Sequence, residues 1–193
     1  MKRAPDQAWV SIAAESRAAT PAEAQRLAAE AMKAVDSALA RAGLPEAAIR
    51  TTGYSLQPDM EYTNGRSRVR GYIARNQVEA RVDDLKKLGA VLDAAGSSGA
   101  TSLAGLRFDI KDRANVEREA LRLAVQDAMA RARAIASGAA STLGPIVRIE
   151  EQNDMAPQPM YRMAVASADA PQTPVSPGEL DIRANVTLTV AIR

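Results

Sequence analysis

Polar and apolar residues alternate in two segments that lie about a hundred residues apart. One is IARNQVEARV, residues 73–82, and the other is DIRANVTLTV, residues 181–190. A period of two places successive side chains on opposite faces of a β-strand. We therefore predict a strand at each segment, with Val78 and Val186 in matching core positions.

Further alternating segments predict the remaining strands of the chain. Between two of them, Asn64-Gly65 favours the type I′ turn of a tight hairpin. The outward positions of the two opening segments carry Arg75 and Arg183, which are expected on the open face of each sheet. The predicted strands span residues 9–15, 49–62, 67–82, 102–112, 146–152 and 180–192.

A helical pattern follows the first strand. Thr20 suits the N-cap, Pro21 suits the first helical position, and Glu23 completes a capping box. Apolar residues then recur at helical spacing until Gly43 and Pro45, which are typical of a helix end. The sequence therefore predicts one long amphipathic helix over this segment.

Two more helices are predicted from the same spacing. The shorter begins at Asp83 or Asp84, whose carboxylates suit a helix N-terminus, and ends near Gly96. The longer runs from about residue 113 to 141, and Gly144-Pro145 is predicted to stop it.

The order of these elements indicates an internal duplication. Strand–helix–strand–strand occurs in residues 8–82 and again in 103–193, and residues 83–102 form a connecting helix. We predict a single α+β domain over 8–193, in which antiparallel-rich sheets pack against two long helices. The alternative is that any two amphipathic strands look alike, whatever their origin.

A proline-bearing insertion, residues 153–178, distinguishes the second predicted unit from the first. The first unit has only Asn64-Gly65 at the corresponding place. Loops longer than about fifteen residues are uncommon unless they are functional or disordered. We predict that the insertion mediates assembly or partner binding, or else is disordered in the monomer.

Composition excludes several classes of chemistry. The chain has 193 residues, 47 % of them hydrophobic but only 3 % aromatic, and its net charge is +2 without a basic block. Nucleic acid is therefore not an expected partner. Cysteine and histidine are both absent, which removes disulfides, thiol nucleophiles, common zinc sites and Ser–His–Asp triads. We expect no catalytic, cofactor or metal site.

Two weaker chemical signals have structural explanations. The adjacent carboxylates Asp83-Asp84 and Glu150-Glu151 are expected to point apart, whereas acid–base catalysis needs them across a substrate. Three methionines in the insertion could bind Cu(I) weakly, but subunit or partner contact and a plain flexible loop are the alternatives. The candidate oligomer or partner contacts are Met155, Met160, Tyr161, Met163, Arg75 and Arg183.

The chain resembles the SIMPL-domain family. The resemblance rests on the order and spacing of segments that together span nearly the whole sequence, although each segment is diffuse. It implies an α+β fold with a repeated β-α-β-β unit, export, and assembly into a large ring-like homo-oligomer. No agreed catalytic residues exist to carry over. The segments are IRTTGYSLQP (49–58), residues 71–100, residues 120–144 and PGELDIRANVTLTV (177–190).

The expected location follows partly from this resemblance. No apolar run is long enough for a transmembrane helix, and MKRAPDQAWV lacks the apolar core of a signal peptide. We expect a periplasmic protein whose leader has been removed, with a cytoplasmic protein as the alternative.

Two classes of function remain open. The first is a non-enzymatic oligomerising scaffold, which the resemblance links to envelope or oxidative-stress defence. The second is a periplasmic carrier of a small ligand or metal, or an enzyme that uses arginine and carboxylates in a cleft between the repeats.

Overall fold

The computed structural model describes residues 1–63, 65–152 and 173–193. These residues form three α-helices and eight β-strands, with short 3₁₀ turns at Glu46–Ala48 and Leu85–Lys87. All strand pairs are antiparallel, so the predicted α+β class is confirmed. In chain order the elements are β1 (Lys2–Arg3), β2 (Gln7–Ala18), α1 (Pro21–Arg41), β3 (Ile49–Thr63), β4 (Arg66–Val82), α2 (Leu88–Ser97), β5 (Ser102–Asp109), α3 (Arg113–Gly138), β6 (Leu143–Gln152), β7 (Leu180–Asp181) and β8 (Asn185–Ile192).

The described residues divide into two compact units. We call residues 6–109 and 173–177 the core unit, and residues 1–5, 110–152 and 178–193 the terminal unit. The core unit contains a four-stranded sheet in the order β3-β4-β2-β5, while the terminal unit contains the pairs β6-β8 and β1-β7.

The inner face of β2 forms the centre of the core unit. Ala8, Val10, Ile12 and Ala14 alternate along the strand, and each is fully buried. Antiparallel pairing sets these positions beside Val82, Ala80, Val78 and Asn76 of β4. The alternation predicted for both strands is therefore confirmed, because a one-residue slip would turn the buried set towards solvent.

Helix α1 covers this face, as the sequence predicts. Thr20 is the N-cap, and its Oγ1 accepts a hydrogen bond of 3.3 Å from the Glu23 amide. The helix contacts β2 and β4, and Ala24 and Ala28 lie against Ala74. Small side chains allow the helix and the sheet to approach closely. The buried residues of α1 are Ala24, Ala28, Met32, Val35, Ala38 and Leu39.

The β3–β4 hairpin extends beyond the rest of the core sheet. Strand β2 ends at Ala18, opposite Tyr72, whereas β3 and β4 continue to the pair Thr63–Arg66. Only positions 64 and 65 lie between the strands, and Gly65 has a φ of +73°. We call residues 59–71 the arm.

Gly71 lies where the arm leaves β2. A Cβ atom at this position would lie 2.7 Å from the backbone oxygen of Ala18. Real Cβ contacts are essentially never that short, so β4 can pass the end of β2 at this distance only with glycine.

The shorter predicted helix also lies in the core unit. Asp84 Oδ1 accepts a hydrogen bond of 3.1 Å from the Lys86 amide and caps the 3₁₀ turn that leads into α2. Helix α2 contacts α1, β2 and β5. Asp84 is thus the capping residue of the predicted pair.

In the terminal unit, the long helix packs on a sheet of only two strands. Helix α3 contacts mainly β8, and Asp112 caps it through a 3.1 Å hydrogen bond from the Asn115 amide. Only Ala120 and Ala136 of this helix are buried. No helix in the described ranges is long and apolar enough to cross a membrane.

The prediction of one continuous strand over 180–192 is wrong. The segment divides into β7, which pairs with β1, and β8, which pairs with β6. The Ile182 amide donates to the Met1 carbonyl at 2.8 Å, and the Met1 amino group donates to the Ile182 carbonyl at 2.7 Å. The alternation continues through this change of partner, so it conceals the break.

The predicted end of the long helix is also wrong. Helix α3 ends at Gly138, and Ala140 then adopts a left-handed conformation with a φ of +51°. The Ser141 amide donates to the Ala136 carbonyl at 2.9 Å, which closes a Schellman motif. Gly144 and Pro145 instead lie inside β6.

The predicted internal duplication stays a prediction. Helix–strand–strand order occurs in both units, as α1-β3-β4 and α3-β6-β8. Strand β5, with which the second predicted repeat begins, pairs with β2 in the core unit.

Candidate interaction surfaces

The sequence-predicted contact residues fall in different parts of the chain. Met155, Met160, Tyr161 and Met163 lie outside the described residues.

Arg75 and Arg183 are both held by carboxylates of their own units. Arg75 lies on the outer face of β4 and forms an ion pair of 3.7 Å with Glu15. Arg183 lies between β7 and β8, and its Nε and Nη2 donate to Asp181 at 2.9 and 2.6 Å. This pairing lowers the pKa of Asp181. Arg75 belongs to the core unit and Arg183 to the terminal unit.

The outer face of the core sheet carries an arginine–tryptophan stack. The Arg50 guanidinium lies 4.5 Å from the centre of the Trp9 ring, and that of Arg107 lies 5.7 Å from it. Arg50 also donates to Glu79 at 2.7 Å. Cation–π contact and the ion pair together hold these side chains in place. Each of these arginines also has a carboxylate partner, Glu79 for Arg50 and Asp109 for Arg107.

Large apolar side chains are exposed along β3 and the arm. Four lie at alternate positions of β3 and Val69 lies opposite one of them, Met60. Leu56 pairs with Ala74, which lies under α1, so this row is on the helix-covered side of the sheet but beyond the helix itself. Its members are between 37 % and 78 % exposed. We call this set the β3 stripe: Tyr54, Leu56, Met60, Tyr62 and Val69.

A second apolar surface lies on β6 and the end of β8. Ile149 pairs with Leu188, and Ile146 pairs with Val190. These β8 residues are partly buried while Thr187 is exposed, so the row faces the side on which α3 packs. The helix covers β8 but leaves β6 largely uncovered, and the surface residues are between 46 % and 67 % exposed. We call the exposed apolar residues of these two strands the β6 patch: Ile146, Ile149 and Ile192 in this row, and Val147 at the register shift between Ile146 and Arg148.

Sequence reasoning missed both surfaces. Alternation predicts that β3 and β6 each have an apolar face, but it does not show whether a helix covers that face. One signal was available in the sequence, namely the number of strands predicted for each helix. A helix is about 10 Å wide and strands are about 4.8 Å apart, so one helix covers roughly two strands and leaves any further strand uncovered.

Sequence comparison places the whole chain in one family. The model of the SIMPL family, described as a protein of unknown function (DUF541), matches residues 1–190. The chain belongs to the SIMPL family. The resemblance predicted from its segments is thereby confirmed.

Several curated SIMPL relatives are similar over most of this chain. The 26 kDa periplasmic immunogenic protein of Brucella melitensis is 28 % identical, and the match covers 100 % of this chain and 81 % of the relative. The Brucella abortus protein of the same name gives the same figures. The uncharacterized protein YggE of Escherichia coli K12 is 28 % identical over 85 % of this chain and 67 % of its own length.

Proposed function

We propose that this SIMPL protein is a non-enzymatic, exported scaffold that assembles with copies of itself. The observation that carries the proposal is the pair of exposed apolar surfaces, the β3 stripe and the β6 patch. Contiguous exposed apolar side chains on a folded protein mark interaction sites. A large closed ring is the form of assembly that the family resemblance implies.

The periplasm is the proposed location. A relative that aligns with all of this chain is named a periplasmic protein. The lack of cysteine suits an oxidising compartment, because unwanted crosslinks cannot form. A role in envelope or oxidative-stress defence is the process proposed, on the resemblance alone.

The assembly proposal is tested by native mass in solution. Sedimentation velocity on the intact chain should give a discrete oligomer. Replacing residues 153–178 by Asn-Gly should reduce its mass if the insertion contributes contacts, as the sequence predicts. An unchanged oligomer would remove the insertion, with Met155, Met160, Tyr161 and Met163, from the interface. A single-chain mass for the intact protein at all concentrations would overturn the proposal itself.

The non-enzymatic part of the proposal is tested separately. A thermal-shift screen of metabolites and metal ions should give no concentration-dependent stabilisation, since a ligand that binds the native state raises its stability. Clear stabilisation by one compound would favour the carrier or enzyme class instead.

A further inference from the structure

We propose that residues 1–3 form a latch that opens and closes on the terminal unit while the rest of the protein stays folded. In the closed state, which the structure describes, the latch pairs with β7 and forms one wall of a cavity beside α3. In the open state, β7 has no strand partner among the described residues, and the cavity becomes a groove. This inference does not depend on the proposed self-assembly.

The latch and β7 depend on each other for their strand pairing. Strands β1 and β7 have two residues each, and in the described part of the chain neither pairs with any other strand. Beside them, the Ile182 amide donates to the Met1 carbonyl at 2.8 Å. A two-stranded pair is only marginally stable by itself. When the latch leaves, residues 180–182 therefore lose their hydrogen bonds to it at the same time.

The ion pairs of the latch are exposed and contribute little to holding it closed. Lys2 Nζ lies 3.7 Å from a carboxylate oxygen of Glu179, and Arg3 pairs with Glu119 of α3. These four side chains are between 39 % and 73 % exposed. Water screens exposed ion pairs, so each stabilises the closed state only slightly. The latch is therefore held mainly by a few backbone hydrogen bonds and by the apolar surface that Met1 covers.

The hinge of the latch lies at Ala4. This residue is exposed, whereas Pro5, which follows it, is buried. Next in the chain, the Asp6 amide donates to the Asp109 carbonyl at 3.2 Å and anchors the start of the core unit. Motion of the latch therefore stops at Pro5 and leaves β2 in place.

Few buried contacts of the terminal unit oppose this opening. Leu180 and Ile182, which lie beside the latch, are 8 % and 9 % exposed. The other buried apolar residues described in this unit are Ile110, Ala120 and Ala136. In the core unit, by contrast, alternate residues of β2 are fully buried, and this strand pairs on both sides, with β4 and β5. Regions with fewer buried contacts open at a lower free energy, so the latch opens far more often than the core unfolds.

Opening also removes one wall of a cavity. The cavity has a volume of about 250 Å³ and lies between Met1, the first half of α3 and the link from β7 to β8. Leu123 and Ala124 of α3 line it together with Ile182. With Met1 withdrawn, these apolar side chains line a groove that is open to water. Covering them again removes apolar surface from water, which favours the closed state.

Hydrogen exchange of the intact chain, resolved to single amides, tests the latch directly. The Ile182 amide should exchange at least about a hundredfold faster than the most protected amides of residues 8–14, because it is freed whenever the latch opens. An Ile182 amide as protected as those of residues 8–14 would show that the latch leaves only when the whole protein unfolds. That result would overturn the inference.

A disulfide lock separates latch opening from other motions. Lys2 lies directly opposite Asp181. The neighbouring residues Met1 and Ile182 exchange both backbone hydrogen bonds, so the 2–181 pair is the kind whose side chains lie closest. The chain has no cysteine, so Lys2→Cys with Asp181→Cys allows one bridge within the chain.

Oxidation of this variant should slow exchange of the Ile182 amide at least about tenfold and leave residues 8–14 unchanged. The reduced form of the same variant is the control. Equal exchange at Ile182 in the bridged and the reduced forms would overturn the inference.

A charge reversal provides a second variant, which needs no bridge to form. Arg3→Glu places two carboxylates together at Glu119 and should speed exchange of the Ile182 amide about threefold. The matched control is Arg131→Glu, which makes the same change in an exposed ion pair of α3, with Asp127, outside the latch. Exchange at Ile182 that is no faster in Arg3→Glu than in this control would overturn the inference.

Discussion

Helices α1 and α3 have similar lengths but bury different amounts of surface. Helix α1, with 21 residues, buries six side chains against a four-stranded sheet. Helix α3, with 26 residues, buries only Ala120 and Ala136, and the sheet beside it has two strands. Leu39 of α1 is 0 % exposed, whereas Ile135 of α3 is 66 % exposed.

This difference shows that the two units depend on different kinds of contact. The core unit finds its hydrophobic stabilisation within the chain, because two inner strands and the helix enclose one another. Both units leave large apolar side chains exposed, but in the terminal unit these include Leu123 and Ile135 of the long helix itself. The proposed self-assembly would cover the β3 stripe and the β6 patch, whereas Ile135 lies in neither set.

The largest expected difference comes from shortening one side chain on each helix. Leu39→Ala should lower the free energy of unfolding by about 3 kcal/mol, because it leaves a cavity in the core. Ile135→Ala should change it by less than about 0.5 kcal/mol, since the side chain is exposed and alanine favours helix. Urea denaturation of both variants at low protein concentration checks this. Equal losses would contradict the contrast between the helices.

A second prediction concerns the place where the arm leaves the core sheet. Gly71→Ala should cost about 2 kcal/mol, because its Cβ would overlap the Ala18 backbone oxygen and force β4 to shift. Gly105→Ala is the control, since no atom lies within 4 Å of the added carbon. Thermal unfolding measures both. A Gly71 variant as stable as the control would show that β4 can move away from the end of β2 without a measurable loss of stability.

A third prediction compares the helix ends. Gly43 after α1 and Ala140 after α3 both adopt left-handed conformations, with φ of +87° and +51°. Gly43→Ala should destabilise the chain by about 1 kcal/mol, and Ala140→Gly should stabilise it by up to about the same amount. The midpoints of urea denaturation measure both effects. If both variants lost stability, or both gained it, the left-handed conformations assigned to the two helix ends would be contradicted.

The smallest expected effects are those of two carboxyl groups on the pH dependence of stability. Partial burial of the Asp36 carboxyl, with Glu46 nearby, raises its pKa above the ordinary value of 3.8. The hydrogen bond from Arg183 holds the pKa of Asp181 below 3.8. Ionised Asp36 therefore opposes folding above its folded pKa, whereas ionised Asp181 supports folding above 3.8.

Substitution by asparagine should reveal opposite signs. At about pH 7, Asp36→Asn should raise the urea midpoint slightly and Asp181→Asn should lower it. At about pH 3 the first difference should vanish, because Asp36 is then protonated in the folded and the unfolded state. The second should shrink, because the advantage of ionised Asp181 in the folded state is lost as the pH falls below 3.8. Shifts of equal sign at neutral pH would contradict the assigned environments.

Much of the fold follows from local rules in the sequence. Thr20 and Asp84 cap the elements that they are predicted to cap, and Gly43 ends α1. The alternation in β2 and β4 identifies their buried faces. These predictions succeed because capping and strand periodicity depend on neighbours in sequence.

The remaining features depend on partners distant in sequence. Alternation over 180–192 cannot show that the strand changes partner near Ile182. The end of α3 carries no glycine signal in the sequence, because an alanine, Ala140, adopts the left-handed conformation there. The β3 stripe and the β6 patch have the pattern of buried faces, and only the extent of each helix shows that they are open.

Hydrogen–deuterium exchange at two protein concentrations tests the role of these surfaces most directly. Amides of residues 146–152 and 49–57 should exchange more slowly at the higher concentration, because the proposed self-assembly covers these strands. Amides of residues 8–14, at the centre of the core sheet, should be protected equally at both. Exchange in 146–152 and 49–57 that does not change with concentration, together with the mass of a single chain, would contradict the account.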